Sequence, residues 1–201
     1  MRFGAFRQLG VTRSGQLARI VEELPEGYDA VEGLGMFPHL ALHLGRDHTV
    51  LADRRGCRSG LTFSSWAGVV TAIVRVTGAP IPFYGWAMFD TGLDGPVMQI
   101  TFPPRLAAAS KRERLIDETY VGFAGAAKAR CTARPVAFHM TNLGTVSHPV
   151  CYVADTLVNT LGPAIHSSVV ANPVEFLGAP TTIDDVRKLI CRTSEASSNR
   201  P

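Results

Sequence analysis

Long hydrophobic runs, lysines and clustered positive charge are all scarce in this sequence. No window approaches the run of about 18 apolar residues that spans a bilayer, and the first residues, MRFGAFRQLGVTRSGQ, contain no apolar segment of signal-peptide type. The sequence therefore predicts a soluble, cytoplasmic protein. Only three of the 20 basic residues are lysine, and the net charge of +3 is scattered along the chain. This pattern gives no electrostatic footprint for nucleic acid, so no specific nucleic-acid partner is expected.

Paired metal ligands and redox motifs are also missing. No C-x-x-C pair occurs, and the four cysteines, which stand far apart, are interpreted as buried thiols without disulfides. These are Cys57, Cys131, Cys151 and Cys191. His39 and His43 alternate with leucines in residues 37–44, which predicts a strand with histidines on its wetter face. Because no H-E-x-x-H motif or matching carboxylate accompanies His39, His43 and His48, no metal site is predicted.

The densest apolar sequence runs from Gly68 to Pro104 and contains the motif Asp90-Thr91-Gly92. Residues 69–77 are nearly all β-branched and predict a strand, which Gly78 and the prolines after it end in a turn. An aromatic-rich run, residues 83–89, then leads into Asp90. We therefore expect two paired strands, the second ending in a tight turn that presents a carboxylate from a rigid apolar base. Two carboxylates held face to face can share one proton.

The remaining periodicities predict an α+β fold, mainly antiparallel β with a small barrel-like or sandwich core and three or four short helices. Strands are expected within 31–53, 135–141 and 164–171, and a hairpin within 120–130. Helices are expected at 16–24, 105–118, 149–162 and 182–192, and Asn172-Pro173 is expected to be a turn. The predicted organisation is an amino-terminal arm at 1–30, one globular domain at 31–192 and a disordered tail at 193–201.

Two segments of the chain resemble the retropepsin-like aspartic proteases. In that family a strand and turn precede an apolar strand that ends in Asp-Thr-Gly, as residues 74–83 and 87–95 do here. The family's second marker, two apolar residues and a glycine followed by a short helix, is similar to Phe176-Leu177-Gly178 and the residues after it. The resemblance covers residues 68–190, with the predicted helix at 149–162 as an insertion.

The resemblance implies a homodimer that hydrolyses polypeptides without a metal or cofactor. Each chain contributes Asp90 as the acid/base, Thr91 hydrogen-bonds across the dyad, and Gly92 supports the loop. Phe176, Leu177 and Gly178 pack beneath the loop, and residues 119–140 supply the flap. One carboxylate takes a proton from a water, and the protonated partner stabilises the oxyanion that forms.

Two other interpretations remain open. Asp-Thr-Gly is good turn chemistry in its own right, so residues 90–95 also fit the tip of an ordinary β-hairpin. The second is a viral matrix or capsid-type assembly protein, because residues 66–86 and 120–142 loosely resemble parts of rhabdovirus matrix proteins. That interpretation implies no catalysis. The apolar residues 83–89 would then face another subunit, a nucleocapsid or a membrane surface.

Overall fold

The structure, a computed structural model, is mainly β with two helices in the residues that it describes. These residues are 40–46, 50–66, 69–83, 85–91, 93, 95, 97–122, 125–154 and 168–193. The predicted arm at 1–30, the helix at 16–24 and all but the first residue of the predicted tail lie outside them. The α+β, mainly antiparallel fold class is confirmed. Both sheets are open, however, so the barrel-like alternative is wrong.

Within the described residues, fifteen strands form two sheets, one of 12 strands and one of three. The first seven strands are β1 Ala41–Leu44, β2 Val50–Asp53, β3 Leu61–Trp66, β4 Val69–Ile73, β5 Arg75–Thr77, β6 Trp86–Phe89 and β7 Met98–Thr101. After helix α1, Pro103–Arg112, come β8 Leu115–Gly122, β9 Gly125–Thr132, β10 Val136–Met140, β11 Gly144–His148 and β12 Cys151–Ala154. The chain ends its described part with β13 Ser168–Ala171, helix α2 Pro173–Leu177, β14 Thr181–Asp184 and β15 Leu189–Arg192.

The large sheet has the order β2-β1-β14-β15-β3-β4-β6-β13-β7-β12-β9-β8, and the small one the order β11-β10-β5. The predicted pairing across the central stretch is confirmed, because β4 and β6 are antiparallel with Val70 opposite Phe89. Strand β13 is inserted between β6 and β7, parallel to the first and antiparallel to the second. The chain from β6 to β7, which begins with Asp90, must therefore cross the end of β13.

Aromatic side chains join the two sheets into one core. The rings of Phe138, on β10, and Phe176, on α2, are both fully buried and meet edge to face at 5.2 Å. Phe176 also meets Phe89 at 5.8 Å, so a single side chain connects the small sheet with the strand that leads to Asp90. Such aromatic pairs contribute about 1 kcal/mol beyond the burial of their area.

Three of the four predicted helices require correction or remain partly outside the described residues. Helix α1 begins at Pro103, where proline lacks an N–H that would be unpaired anyway, and ends at Arg112, because residues 115–118 belong to β8. Residues 151–154 form β12 rather than the start of a helix. The rest of the predicted helix, 155–162, lies outside the described residues. Asn172-Pro173 is the start of α2 and not a turn.

The predicted helix at 182–192 is a β-hairpin formed by β14 and β15. Ile183 and Ile190, which helical spacing assigns to one stripe, lie directly opposite each other in the ladder and are both buried. Val186, assigned to the same stripe, is 60% exposed in the turn. The pairing succeeds because all four residues of β14 are buried and three of them, Thr181, Thr182 and Ile183, are β-branched.

The prediction of unpaired thiols is wrong. Cys57 is disulfide-bonded to Cys191, and Cys131 to Cys151. Sequence spacing could not show this, because the partners are 134 and 20 residues apart and are brought together by strand pairing. No helix in the described residues is long and apolar enough to cross a membrane.

Candidate functional site

Asp90 directly follows the last residue of β6, and one further backbone hydrogen bond extends the pairing of β6 with β13 to it. Its N–H donates to the carbonyl of Ala171 at 3.0 Å, and its own carbonyl accepts the N–H of Leu93 at 3.4 Å. Asp90 and Thr91 are exposed, whereas Leu93 is buried. The backbone of the motif is therefore fixed on one side by β13, while the Asp90 carboxylate is on the surface. Gly92 lies outside the described residues.

Asp90 shares a sheet face with a row of partly buried apolar side chains. Ala87 and Phe89 point into the core, so alternation along the strand assigns Met88 and Asp90 to the other face. On that face Met88 lies opposite Val170, and Val170 opposite Met98. Val170 and Met98 belong to a second apolar cluster, separate from the main core. Its other members are Leu93, Ala129, Cys151 and Val153. The carboxylate thus stands beside an apolar surface that is open to solvent in part.

Asn172 connects the Asp90 loop with α2, and sequence reasoning missed it. Its side-chain carbonyl accepts the N–H groups of Val174 and Glu175, which caps the helix. Its Nδ2 group donates to the carbonyls of Leu93, at 3.1 Å, and Thr91, at 3.4 Å. One amide therefore holds the helix start and the loop in a fixed relation. Asparagine before proline is a helix-start signal, but nothing local reveals the contact to residues about 80 positions earlier.

Of the three predicted supporting residues, Phe176 contacts the end of β6. Phe176 packs on Phe89 and is fully buried, and Leu177 is 3% exposed. Gly178 ends α2 in the left-handed region, at φ 64°, which explains why glycine stands there. No helix follows Gly178, since β14 does.

Strands β8 and β9 form a long antiparallel hairpin, as the prediction for 120–130 anticipated. Its base is covalently linked to the rest of the sheet, because Cys131 on β9 lies opposite Cys151 on β12 and is bonded to it. Cys151 in turn lies opposite Met98. The disulfide is therefore at the end of the same row of side chains that includes Met88 and Val170.

Asp184, which lies away from Asp90, is a carboxyl group whose pKa departs from its usual value. Burial, at 1% exposure, would raise its pKa, but hydrogen bonds from the Arg187 N–H and guanidinium and from the Cys57 N–H outweigh burial and hold the pKa below its usual value. Perturbed acids often mark functional sites. Here every partner is structural, because the carboxylate joins residues 56 and 57 to the β14–β15 turn.

Comparisons with known proteins supply no assignment: no family model, no curated protein and no solved structure matches the chain. Function is therefore argued from the site alone.

Proposed function

We propose that the chain is an aspartic endopeptidase of retropepsin type, in which two copies each contribute Asp90. The observation that carries the proposal is the anchoring of Asp90 at the end of β6 by β13, with Asn172 holding the loop to α2. An acid/base carboxylate must be placed with a precision of about 0.5 Å, and rigid elements achieve this better than loops.

Three features of the site support the proposal. Asp90 is an exposed residue of the single chain, as a carboxylate that meets its counterpart in a second copy has to be. The apolar row of Met88, Val170 and Met98 beside it offers a surface for the side chains of an extended polypeptide. The hairpin of β8 and β9 is an element of suitable length to cover such a substrate.

The chemistry requires only the two carboxylates and a water. One carboxylate stays protonated because two adjacent negative charges repel each other. The ionised one accepts a proton from the water as the water oxygen attacks the peptide carbonyl, and the protonated one donates a hydrogen bond to the oxyanion. Collapse of this intermediate releases the amine, which takes up the proton. The proposed assembly is therefore a homodimer whose substrate is a polypeptide.

The compartment is a separate question. The cytoplasmic expectation stays a prediction, and the two disulfides weigh against it, because disulfides persist mainly in oxidising environments.

The proposal is tested by Asp90→Asn, which keeps the shape of the side chain and removes its acid/base function. Mass spectrometry would measure cleavage of a mixture of unfolded polypeptides between about pH 4 and 6, where a shared proton is expected. We expect cleavage in the wild type and none in Asp90→Asn. Asp185→Asn, at an acid in the β14–β15 turn, is the matched control and should cleave normally. Cleavage retained in Asp90→Asn would reject the proposal, and no cleavage by the wild type would favour the assembly-protein interpretation.

A further inference from the structure

Two buried polar side chains lie side by side in the large sheet, and the proposed catalysis uses neither of them. Gln99, on β7, is directly opposite Tyr152, on β12, and both are 0% exposed. Side chains at paired positions of neighbouring strands point to the same face, so the amide and the phenol enter the same part of the core. Val97 and Val150, two residues before each of them, are apolar and also fully buried.

The polar atoms of these two side chains have no hydrogen-bond partner among the described residues. They are Nε2 and Oε1 of Gln99 and the hydroxyl oxygen of Tyr152, and all three are buried. The backbone of Ile81 approaches the hydroxyl closely enough to lower the pKa of Tyr152 in part, but without the geometry of a hydrogen bond. Unpaired buried polar groups are costly, because each gives up its hydrogen bonds to water when the chain folds. The Gln99–Tyr152 pair therefore requires a partner from outside the chain.

The three atoms define the chemistry of that partner. The amide nitrogen donates, the amide oxygen accepts, and a hydroxyl can do either. Burial raises the pKa of Tyr152 above its ordinary value, so the hydroxyl keeps its proton and the site is uncharged. The partner is therefore a neutral molecule that both donates and accepts. Water has this chemistry, and internal waters typically make about three hydrogen bonds to buried groups that are otherwise unpaired.

We propose that Gln99 and Tyr152 form the binding site of an internal water molecule. The water connects the side chains of β7 and β12 inside the core, in addition to the parallel pairing of their backbones. It can exchange with the solvent only when this part of the sheet opens, so it stays bound far longer than a surface water.

Magnetic relaxation dispersion of the water oxygen tests the site in the full chain, because it counts waters that stay bound for longer than the protein tumbles. The variant Gln99→Met with Tyr152→Phe removes all three polar atoms at nearly constant volume. We expect this variant to hold at least one long-lived water fewer than the wild type, measured at several temperatures. Thr132→Val is the matched control, since it removes a buried hydroxyl that already accepts the N–H of Val150, and should hold as many as the wild type.

The stability of the single variant Tyr152→Phe provides a second, independent measurement. Under the proposal this substitution removes a hydrogen bond to the bound water, and it should lower the folding equilibrium constant several-fold in urea denaturation. If the hydroxyl has no partner, the substitution removes only the cost of burying it and should raise the constant. An unchanged or raised constant overturns the proposal, and so does an equal number of long-lived waters in the wild type and the double variant.

Discussion

At the scale of single residues, Gly56 has no room for a side chain, because it lies directly against the carboxylate of Asp184. A Cβ atom on Gly56 would lie 1.7 Å from Oδ2 of Asp184, a distance at which the carboxylate must move. Since that carboxylate accepts hydrogen bonds from the Cys57 and Arg187 N–H groups, a shift leaves buried donors unpaired. The position therefore requires glycine because of space, and not because of its backbone angles.

Gly56→Ala is expected to lower the free energy of unfolding by about 2 kcal/mol or more, the cost of a buried hydrogen-bond network that loses its partners. Urea denaturation measures this. Gly78→Ala is the matched control, since φ is +85° there but no atom lies within 4 Å of the added Cβ. Backbone strain alone should cost about 1 kcal/mol in the control. Equal losses in the two variants would contradict the role assigned to Gly56.

The lowered pKa of Asp184 also predicts how the free energy of unfolding depends on pH. Its pKa is lower in the folded chain than in the unfolded one, because the hydrogen bonds from Arg187 and Cys57 outweigh burial. The stabilisation that the ionised Asp184 side chain contributes to the fold is therefore fully present above the unfolded pKa of about 3.9. It is lost as the pH falls through the lower pKa of the folded chain. Asp184→Asn, whose amide would oppose the donors of Cys57 and Arg187, should be less stable than the wild type at pH 7. The difference should shrink towards about pH 3, as measured by urea denaturation at each pH. A difference that stays constant with pH would rule out this linkage.

At the scale of secondary-structure elements, local sequence predicts those strands and helices whose signal is local. The β-branched run of residues 69–77 and the alternation in 41–44 became strands, and proline at 103 marked the start of α1. Residues 182–192 were mispredicted because Ile183 and Ile190 satisfy helical spacing and cross-strand pairing equally well. The choice was made by β1 and β3, which pair with β14 and β15 on either side. Long-range pairing of this kind leaves no mark in an 11-residue window.

The candidate site likewise contains residues that local sequence can reveal and residues that only long-range contacts reveal. Asp90 and Thr91 are candidates from a three-residue motif, and their role stays a prediction. Phe176 was expected beneath the loop, and its ring contacts Phe89 at the end of the strand that leads to Asp90. Asn172 could not be identified from the sequence, because its Nδ2 group donates hydrogen bonds to carbonyls about 80 residues earlier. The disulfides were missed for the same physical reason, since only the β9–β12 register places Cys131 opposite Cys151.

The double role of Asn172 allows helix capping and loop anchoring to be separated. Asp at this position keeps an acceptor for the Val174 and Glu175 N–H groups but cannot donate to the carbonyls of Thr91 and Leu93. Asn172→Asp should therefore lose less stability than Asn172→Ala, for which the loss of the cap alone costs about 1 kcal/mol. Both variants should show faster amide exchange at Leu93. If the rate at Leu93 in Asn172→Asp equals that of the wild type, the side chain does not anchor the loop.

The two disulfides should differ in how much they raise the free energy of unfolding. Cys57–Cys191 closes a far longer loop than Cys131–Cys151, 134 residues against 20. Chain entropy then assigns about 5 kcal/mol to the first and about 3 kcal/mol to the second. Paired serine substitutions, with unfolding followed in urea, should reproduce this order. A thiol assay on the unfolded, unreduced wild type provides the control and should detect no thiol. Four reactive thiols would contradict both bonds.

At the scale of the whole molecule, the proposed active site is a property of two chains. Asp90 is at the surface of a single chain, and the row of Met88, Val170 and Met98 beside it is only partly buried. In the proposal a second copy completes the site. An active site shared between two chains makes activity depend on protein concentration, because a monomer supplies only one carboxylate of the pair and cannot hold the shared proton.

Mixing wild type with Asp90→Asn distinguishes a shared site from one contained in each chain. The substituted amide preserves the shape of the loop, so the variant should still pair with the wild type. Each mixed pair has a single carboxylate and lacks the acid/base partner that the reaction needs. Adding an excess of the variant to a fixed amount of wild type should therefore lower the cleavage rate steadily, as measured by fragment release over time. Asp185→Asn, added in the same excess, should not lower it. A rate that stays constant as Asp90→Asn is added would mean that each chain acts alone, and the two-chain site would have to be abandoned.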